Sequence, residues 1–188
     1  MKPGIFSSSH AQRGAALVIA MLILMLLTSL GVAMFRSFGL QERIAGNTRE
    51  KQHAFQAAQS ALQFGEWWLT QGNATTGTTC SGLLSATQVC SNAVTMATFT
   101  AGPWTALGAP YVPINVNGAS PMTISTSGGV GTYYAQPRLY INYMGLGSSG
   151  TARVYQVTAI GNGGDLNSVA VVQSTYSVST GVKDLGGL

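Results

Sequence analysis

The side chains that could perform chemistry are few in this chain. Beyond Glu66 the only acidic residues are Asp165 and Asp184, and neither has a second carboxylate nearby in sequence for paired acid–base work. The only histidines, His10 and His53, both precede that region. Serines are abundant, but no serine, histidine and aspartate set and no nucleophile-elbow pattern accompanies them. We therefore expect neither an enzyme nor a cofactor.

Two further groups of residues could bind metal or form a covalent link. Cys80 and Cys90 are the only cysteines, and in an exported chain this spacing suits one disulfide, worth about 2–3 kcal/mol. The alternative is two free or metal-binding thiols, but no histidine lies near them, so we expect no metal. The segment Gly161–Asn167 has oxygen ligands at a spacing that could suit calcium, yet it also suits a tight connection between strands, which we favour.

Charge is scarce and unevenly placed. Only 7% of the 188 residues are charged, and none lies between Trp67 and Pro137. Beyond that gap the basic residues are Arg138, Arg153 and Lys183. A nucleic-acid-binding protein would cluster lysine and arginine on a folded face, because phosphate contacts supply most of the affinity. We expect no nucleic-acid partner.

An uncharged apolar run near the N-terminus decides whether the rest of the chain is attached to a membrane. The run Ala15–Phe35 has 21 residues, and as a helix it would be about 31 Å long, enough to cross the apolar core of a bilayer. One interpretation is a secretory signal cleaved after Ala33, and a second is an uncleaved membrane anchor. In the third, Arg13 and Gly14 directly before the run resemble a prepilin leader, whose peptidase cuts after the glycine and leaves the apolar helix in the mature protein.

The rest of the chain is predicted to be a helix followed by a β-rich head. Residues 37–70 are mostly helix-forming, and apolar residues at helical spacing predict a face that packs on a sheet, namely Ile44, Phe55, Ala58 and Leu62. Residues 71–188 form the head. Its last third predicts a three-stranded antiparallel meander over 138–143, 153–160 and 168–176, separated by glycine-rich turns. The fold class is therefore α+β, with a long N-terminal helix packed on a C-terminal antiparallel sheet.

Three strings of sequence carry a resemblance to a known family. Arg13–Ala20 (RGAALVIA), Gln41–Asn47 (QERIAGN) and Ala54–Leu62 (AFQAAQSAL) resemble the N-terminal region of the PilX family of minor pilins of the type IV pilus. The resemblance implies a pilin-like fold, a leader at 1–14 cleaved between Gly14 and Ala15, and a filament-core helix at 15–36. It also implies residence in the inner membrane with a periplasmic head, followed by assembly into the pilus at the cell surface.

One position departs from the usual pilin pattern. The fifth residue after the expected cut is Ile19, where major pilins usually have a glutamate that can neutralise a neighbour's amino terminus. A subunit without that carboxylate need not dock beneath an earlier one, which favours a place at or near the pilus tip. The basic residues that follow the apolar run argue weakly against a cytoplasmic N-terminus, but the leader and the cysteines outweigh that count.

The resemblance implies a set of partners, and two alternatives remain open. The partners are other minor pilins, the major pilin, the inner-membrane assembly machinery and a tip adhesin. The first alternative is a surface adhesin that binds through loops in the region 72–131. The second is a minor pseudopilin of a type II secretion system, which has the same architecture. Trp67 and Trp68 could form an adhesive aromatic patch. Because adjacent residues on a helix point about 100° apart, we expect instead that one fills the core and the other lies at its edge.

The N-terminal residue of the native protein tests the leader directly. We expect mass spectrometry of the membrane fraction and of sheared surface filaments to find a chain that begins at Ala15. A chain that begins at Met34 would indicate an ordinary secreted protein, and an intact Met1 would leave only a membrane anchor. Either of those results would contradict pilin-type processing.

Overall fold

The fold is seen in a computed structural model, which describes residues 13–94, 108–113, 118, 120–129, 131–148 and 150–179. Most of the predicted leader, residues 1–12, lies outside these ranges, as does part of the predicted loop region 72–131. The chain divides into two compact units, residues 1–47 and residues 48–188, and each is described by itself.

One long helix occupies the N-terminal third of the chain. Helix α1 spans Arg13–Trp68 and contains no proline, so its backbone hydrogen bonds can continue without interruption. It ends in a π-helical turn at Leu69–Asn73, where Gly72 has a φ of 86°. Glycine adopts this left-handed conformation without a steric penalty, so the chain can leave the helix there.

The apolar stretch of the first unit is exposed throughout. This helix is long and apolar enough to cross a membrane, and none of its most apolar stretch is buried within the chain. Ile19, for example, is 56% exposed, and the large aliphatic residues around it are exposed as well. So much exposed apolar surface is stable only against lipid or against other apolar helices.

The second unit contains a mixed five-stranded sheet. Its strands are β1 (Val89–Cys90), β2 (Ala109–Pro110), β3 (Arg138–Leu146), β4 (Ala152–Asn162) and β5 (Val169–Ser179). The order is β1-β3-β4-β5, and β2 also pairs with β3. The last three strands form the antiparallel meander that the sequence predicted.

Beside the predicted antiparallel strands the sheet contains a parallel pair, because β1 pairs with β3 in parallel. Val89 is opposite Ile141, and Cys90 is opposite Asn142. Parallel neighbours need a long connection, and the segment between Cys90 and Arg138 is long enough to supply it. Strand β2 lies within this segment and pairs with the beginning of β3 in the antiparallel sense.

The second half of α1 contacts the sheet through small residues. Its buried face consists of Ala54, Ala57, Ala58 and Ala61. The core opposite is formed by side chains of β3 and β4, among them Leu139, Ile141, Tyr155 and Val157. Because alanine side chains are short, the helix backbone can approach the sheet closely.

The four predicted packing residues have different environments. Ala58 is fully buried, and Leu62 is partly buried and packs against the core. Phe55, however, is 49% exposed, because the alanines beside it in sequence occupy the buried positions of that turn. Ile44 is 62% exposed and lies in the first unit, before the part of the helix that carries the alanine face. Of the four predicted residues, Ala58 and Leu62 therefore lie toward the core, and Phe55 and Ile44 do not.

Two glycines make this close approach possible. A Cβ atom added to Gly161 in β4 would lie 2.4 Å from the carbonyl oxygen of Ala54 and 2.5 Å from the amide nitrogen of Ala58. A Cβ atom on Gly65 in the helix would lie 2.8 Å from Val157 Cγ1. These distances are shorter than van der Waals contact, so a larger residue at either place would force the helix and sheet apart.

Replacing Gly161 should therefore destabilise the head. We expect Gly161→Ala to lower the free energy of unfolding by about 1–3 kcal/mol, the usual cost of an overpacked core. The measurement is thermal unfolding of the full-length protein in detergent, followed by near-ultraviolet circular dichroism. Gly147→Ala is the matched control, since its added Cβ would lie 3.5 Å from the nearest atom, an ordinary contact. Equal melting midpoints for the two variants would contradict the close approach.

Candidate functional site

The first turns of α1 contain the residues expected to be processed and to enter a filament. Gly14 lies in the first turn, and a Cβ atom added there would have nothing within 4 Å. Ala15 follows it on the same exposed helix, and Ile19 lies one turn further on. The expected cleavage point is thus followed by an apolar helix whose large side chains are exposed.

The disulfide predicted between Cys80 and Cys90 is present, with 5.4 Å between the two Cα atoms. Asn92 links the same loop a second time, because its amide oxygen accepts from the Cys80 N–H at 2.7 Å and its amide nitrogen donates to the Cys80 carbonyl at 2.9 Å. Cys80 is therefore held by one covalent bond to β1 and by two hydrogen bonds to Asn92, just after β1.

A tyrosine connects this loop to the sheet. The hydroxyl of Tyr140 in β3 donates to the backbone carbonyl of Asn92 at 2.9 Å. Burial raises the pKa of Tyr140, while its hydrogen bond with Asn92 acts in the opposite direction. Cys80, Cys90 and Tyr140 belong to a second small core that also contains Leu84 and Ala109. The disulfide-bonded loop is thus part of the folded head.

The segment after the helix is held by hydrogen bonds from β4. The guanidinium of Arg153 donates to the carbonyl of Ala74, and the hydroxyl of Tyr155 donates to the carbonyl of Thr75 at 3.0 Å. Tyr155 is fully buried, and burial raises the pKa of its hydroxyl, with the nearby Arg153 acting in the opposite direction. The amide nitrogen of Asn73 donates to the carbonyl of Trp68 at 2.9 Å and closes the end of the helix.

Aromatic side chains gather at the same end of the helix. The ring of Phe64 stacks on that of Tyr111 with 4.9 Å between centroids and lies 5.8 Å from the ring of Trp67. Trp67 is 55% exposed, whereas Trp68 packs against the main core. The expectation that one tryptophan fills the core and the other lies at its edge agrees with this arrangement.

Potential metal ligands are engaged in other interactions. Oδ1 of Asp165 accepts from the backbone N–H groups of Asn167 at 2.7 Å and Ser168 at 3.0 Å, and Glu50 accepts from the N–H of Gly164 at 2.6 Å. Segment 161–167 ends β4 and forms its connection to β5. Within the described ranges, no group of three or more histidine, cysteine or acidic residues could hold a metal ion.

Nothing in the sequence singled out Asn92 or Tyr155, and Arg153 was indicated only as one of the few basic residues of the head. Each acts through a hydrogen bond to a backbone group at least twelve residues away in sequence. A residue's own neighbours in sequence carry no signal for such a pairing. The apolar helix, the cysteines and the meander did carry local signals, and those elements were predicted.

The structure defines a class of protein: a pilin-like α+β subunit with an exposed N-terminal helix that is long and apolar enough to cross a membrane, and a disulfide-bonded sheet domain. Two family models match the chain, PilX N-terminal at residues 13–63 and type IV pilus assembly protein PilX, C-terminal, at residues 86–178. Together they cover most of its length, and the chain belongs to the PilX family of type IV pilus assembly proteins. Neither curated proteins nor solved structures gave a significant match.

Membership of the family gives the coarse function. The protein is a minor pilin of the type IV pilus, a structural component that associates with other components of the pilus. The exposed apolar helix agrees with a subunit that is first anchored in a membrane and then enters the filament.

The disulfide makes a measurable contribution to the stability of the head. We expect the double variant Cys80→Ala, Cys90→Ala to lose about 2–3 kcal/mol of unfolding free energy, the value for closing a loop of this length. Urea unfolding of the full-length protein, followed by circular dichroism, measures the loss. Ser81→Ala, an exposed change within the same loop, should leave the unfolding midpoint where it is. A double variant as stable as the native protein would contradict a structural role for the disulfide.

Proposed function

We propose that this protein is a minor pilin that helps to initiate assembly of the type IV pilus, at or near its tip. The observation that carries the proposal is the wholly exposed apolar helix in a chain of the PilX family. An exposed apolar helix of this kind stays in lipid until other helices replace the lipid around it. Packing of α1 against the helices of other minor pilins would supply that replacement.

Processing and orientation belong to the same proposal. Prepilin peptidase cleaves between Gly14 and Ala15, the N-terminus faces the cytoplasm, and the head lies in the periplasm until assembly. The disulfide supports this orientation, because disulfides form and persist in the oxidising periplasm rather than in the cytosol. The four proposed segments are the leader at 1–14, the membrane helix at 15–36, the head-side helix at 37–70 and the head at 71–188.

The place near the tip rests on Ile19. An incoming pilin that carries a carboxylate at this depth can satisfy it against the amino terminus of the subunit already above it, because unpaired charge in a bilayer is costly. Ile19 offers no such pairing, and its exposed side chain suits an apolar contact instead. The partners we propose are other minor pilins, the major pilin, the inner-membrane machinery and a tip adhesin.

Deletion of the gene separates assembly from surface binding. We expect the deletion strain to lack surface filaments in electron micrographs and to lose twitching motility, and the native gene supplied in trans should restore both. Normal filaments with reduced adhesion would instead favour the adhesin alternative. Immunogold labelling of complemented cells should mark filament ends, and even labelling along the shaft would contradict the position near the tip.

A further inference from the structure

Two adjoining cavities open where the helix meets the disulfide-bonded loop. One has a volume of about 370 Å³ and is lined by aromatic and apolar side chains, and the other has about 480 Å³ and is lined mainly by hydroxyl and amide groups. Thr87 lies in the wall of both. The consecutive residues Trp67 and Trp68 each line one of them, so both cavities lie at the end of α1, and together they are called the cleft.

Aromatic side chains make up much of the wall of the smaller cavity, the aromatic half. Phe64, Trp67 and Tyr111 line it, with Val112 and Pro110 beside them. The stacked pair of Phe64 and Tyr111 gives these rings fixed positions, and the exposed Trp67 extends the same surface toward solvent. The face of an aromatic ring carries partial negative charge, which attracts polarised C–H groups.

The polar half presents neutral donors and acceptors. Its wall includes Asn73, Thr75, Thr76, Thr78 and Gln88. The side chains of the three threonines and of Gln88 are on exposed residues. Hydroxyl and amide groups both donate and accept hydrogen bonds, so they suit a ligand that is itself rich in hydroxyls.

The cleft is held in shape by hydrogen bonds to its walls. The hydroxyl of Ser60 donates to that of Tyr111 at 3.2 Å, and the N–H of Tyr111 donates to the carbonyl of Pro137 at 2.8 Å. On the polar side, the N–H of Thr78 donates to the carbonyl of Val89 at 3.2 Å. A site whose walls are already ordered loses less entropy when a ligand binds.

Charge decides which class of ligand fits. Among the described residues, none that lines either cavity is acidic or basic. A phosphorylated, sulfated or strongly ionic ligand would find no countercharge there, and its desolvation would go uncompensated. A purely apolar ligand would leave the threonine and amide groups of the polar half unpaired.

We propose that this cleft binds an uncharged oligosaccharide. One sugar ring stacks on Trp67 and its aromatic neighbours, Thr87 hydrogen-bonds at the junction, and the next ring meets the polar wall beyond. Each cavity is large enough for such a unit, and their sizes fall within the range usual for small-molecule sites. The proposal adds a binding activity to the head and is independent of the assembly role of the apolar helix.

The test measures binding of neutral oligosaccharides to the full-length protein. The protein is placed in lipid nanodiscs, because detergents with sugar headgroups would compete for the cleft. The probes are maltotriose, cellotriose, diacetylchitobiose and lactose, with 3′-sialyllactose as the charged counterpart of lactose. Saturation-transfer nuclear magnetic resonance detects binding, and titration by calorimetry gives the affinity of any probe that binds.

Two cleft variants and one matched control complete the experiment. We expect Trp67→Ala to weaken binding about tenfold or more, because it removes both the stacking surface and its buried area. Thr87→Val keeps the shape of the wall while removing its hydroxyl, and it should also weaken binding. Phe55→Ala removes an exposed aromatic ring from the same helix outside both cavities, and it should leave the affinity unchanged.

Several outcomes would overturn the proposal. These are the absence of saturable binding by every neutral probe, tighter binding of 3′-sialyllactose than of lactose, and equal losses from Phe55→Ala and Trp67→Ala. Circular dichroism of each variant in the nanodisc verifies its fold. If Trp67→Ala is unfolded, Thr87→Val alone decides, and an unchanged affinity in that variant would reject the site.

Discussion

The head depends on how closely the second half of α1 can approach the sheet. Ala54, Ala57, Ala58 and Ala61 give the helix a face with almost no side-chain bulk, and Gly161 gives β4 none at the point of contact. Most of the large side chains that fill the core come from the sheet, among them Tyr155 and Ile141, and Leu69 is added from the end of the helix. Because the contact is backbone against backbone, its geometry tolerates very little added volume.

This contact sets the position of everything at the end of the helix. Trp68 packs on the core formed there, so Trp67 must point elsewhere, because adjacent residues on a helix differ in direction by about 100°. Arg153 and Tyr155 then hold the chain that leaves the helix, and that chain forms one wall of the polar cavity. The cleft is thus a consequence of how the helix is attached to β4.

The two units of the chain meet different physical demands. The apolar half of α1 has no partner within the described chain for its most apolar stretch, so lipid or other subunits must cover it. The head instead has internal links of its own, in the disulfide-bonded loop, at Asn92 and in the turn around Asp165. The proposed assembly role uses both properties, since in it the helix enters the filament while the head stays folded outside the membrane.

The sequence alone determined the elements whose signals are local. Uncharged apolar length predicted the membrane helix, alternation predicted β3, β4 and β5, and the strings Gln41–Asn47 and Ala54–Leu62 indicated the family. Only the tertiary structure decided that Phe55 lies outside the contact face, that β1 runs parallel to β3, and that Thr87 lies between two cavities. These features depend on contacts between residues that are distant in sequence, and helical periodicity fits several faces until the partner surface selects one.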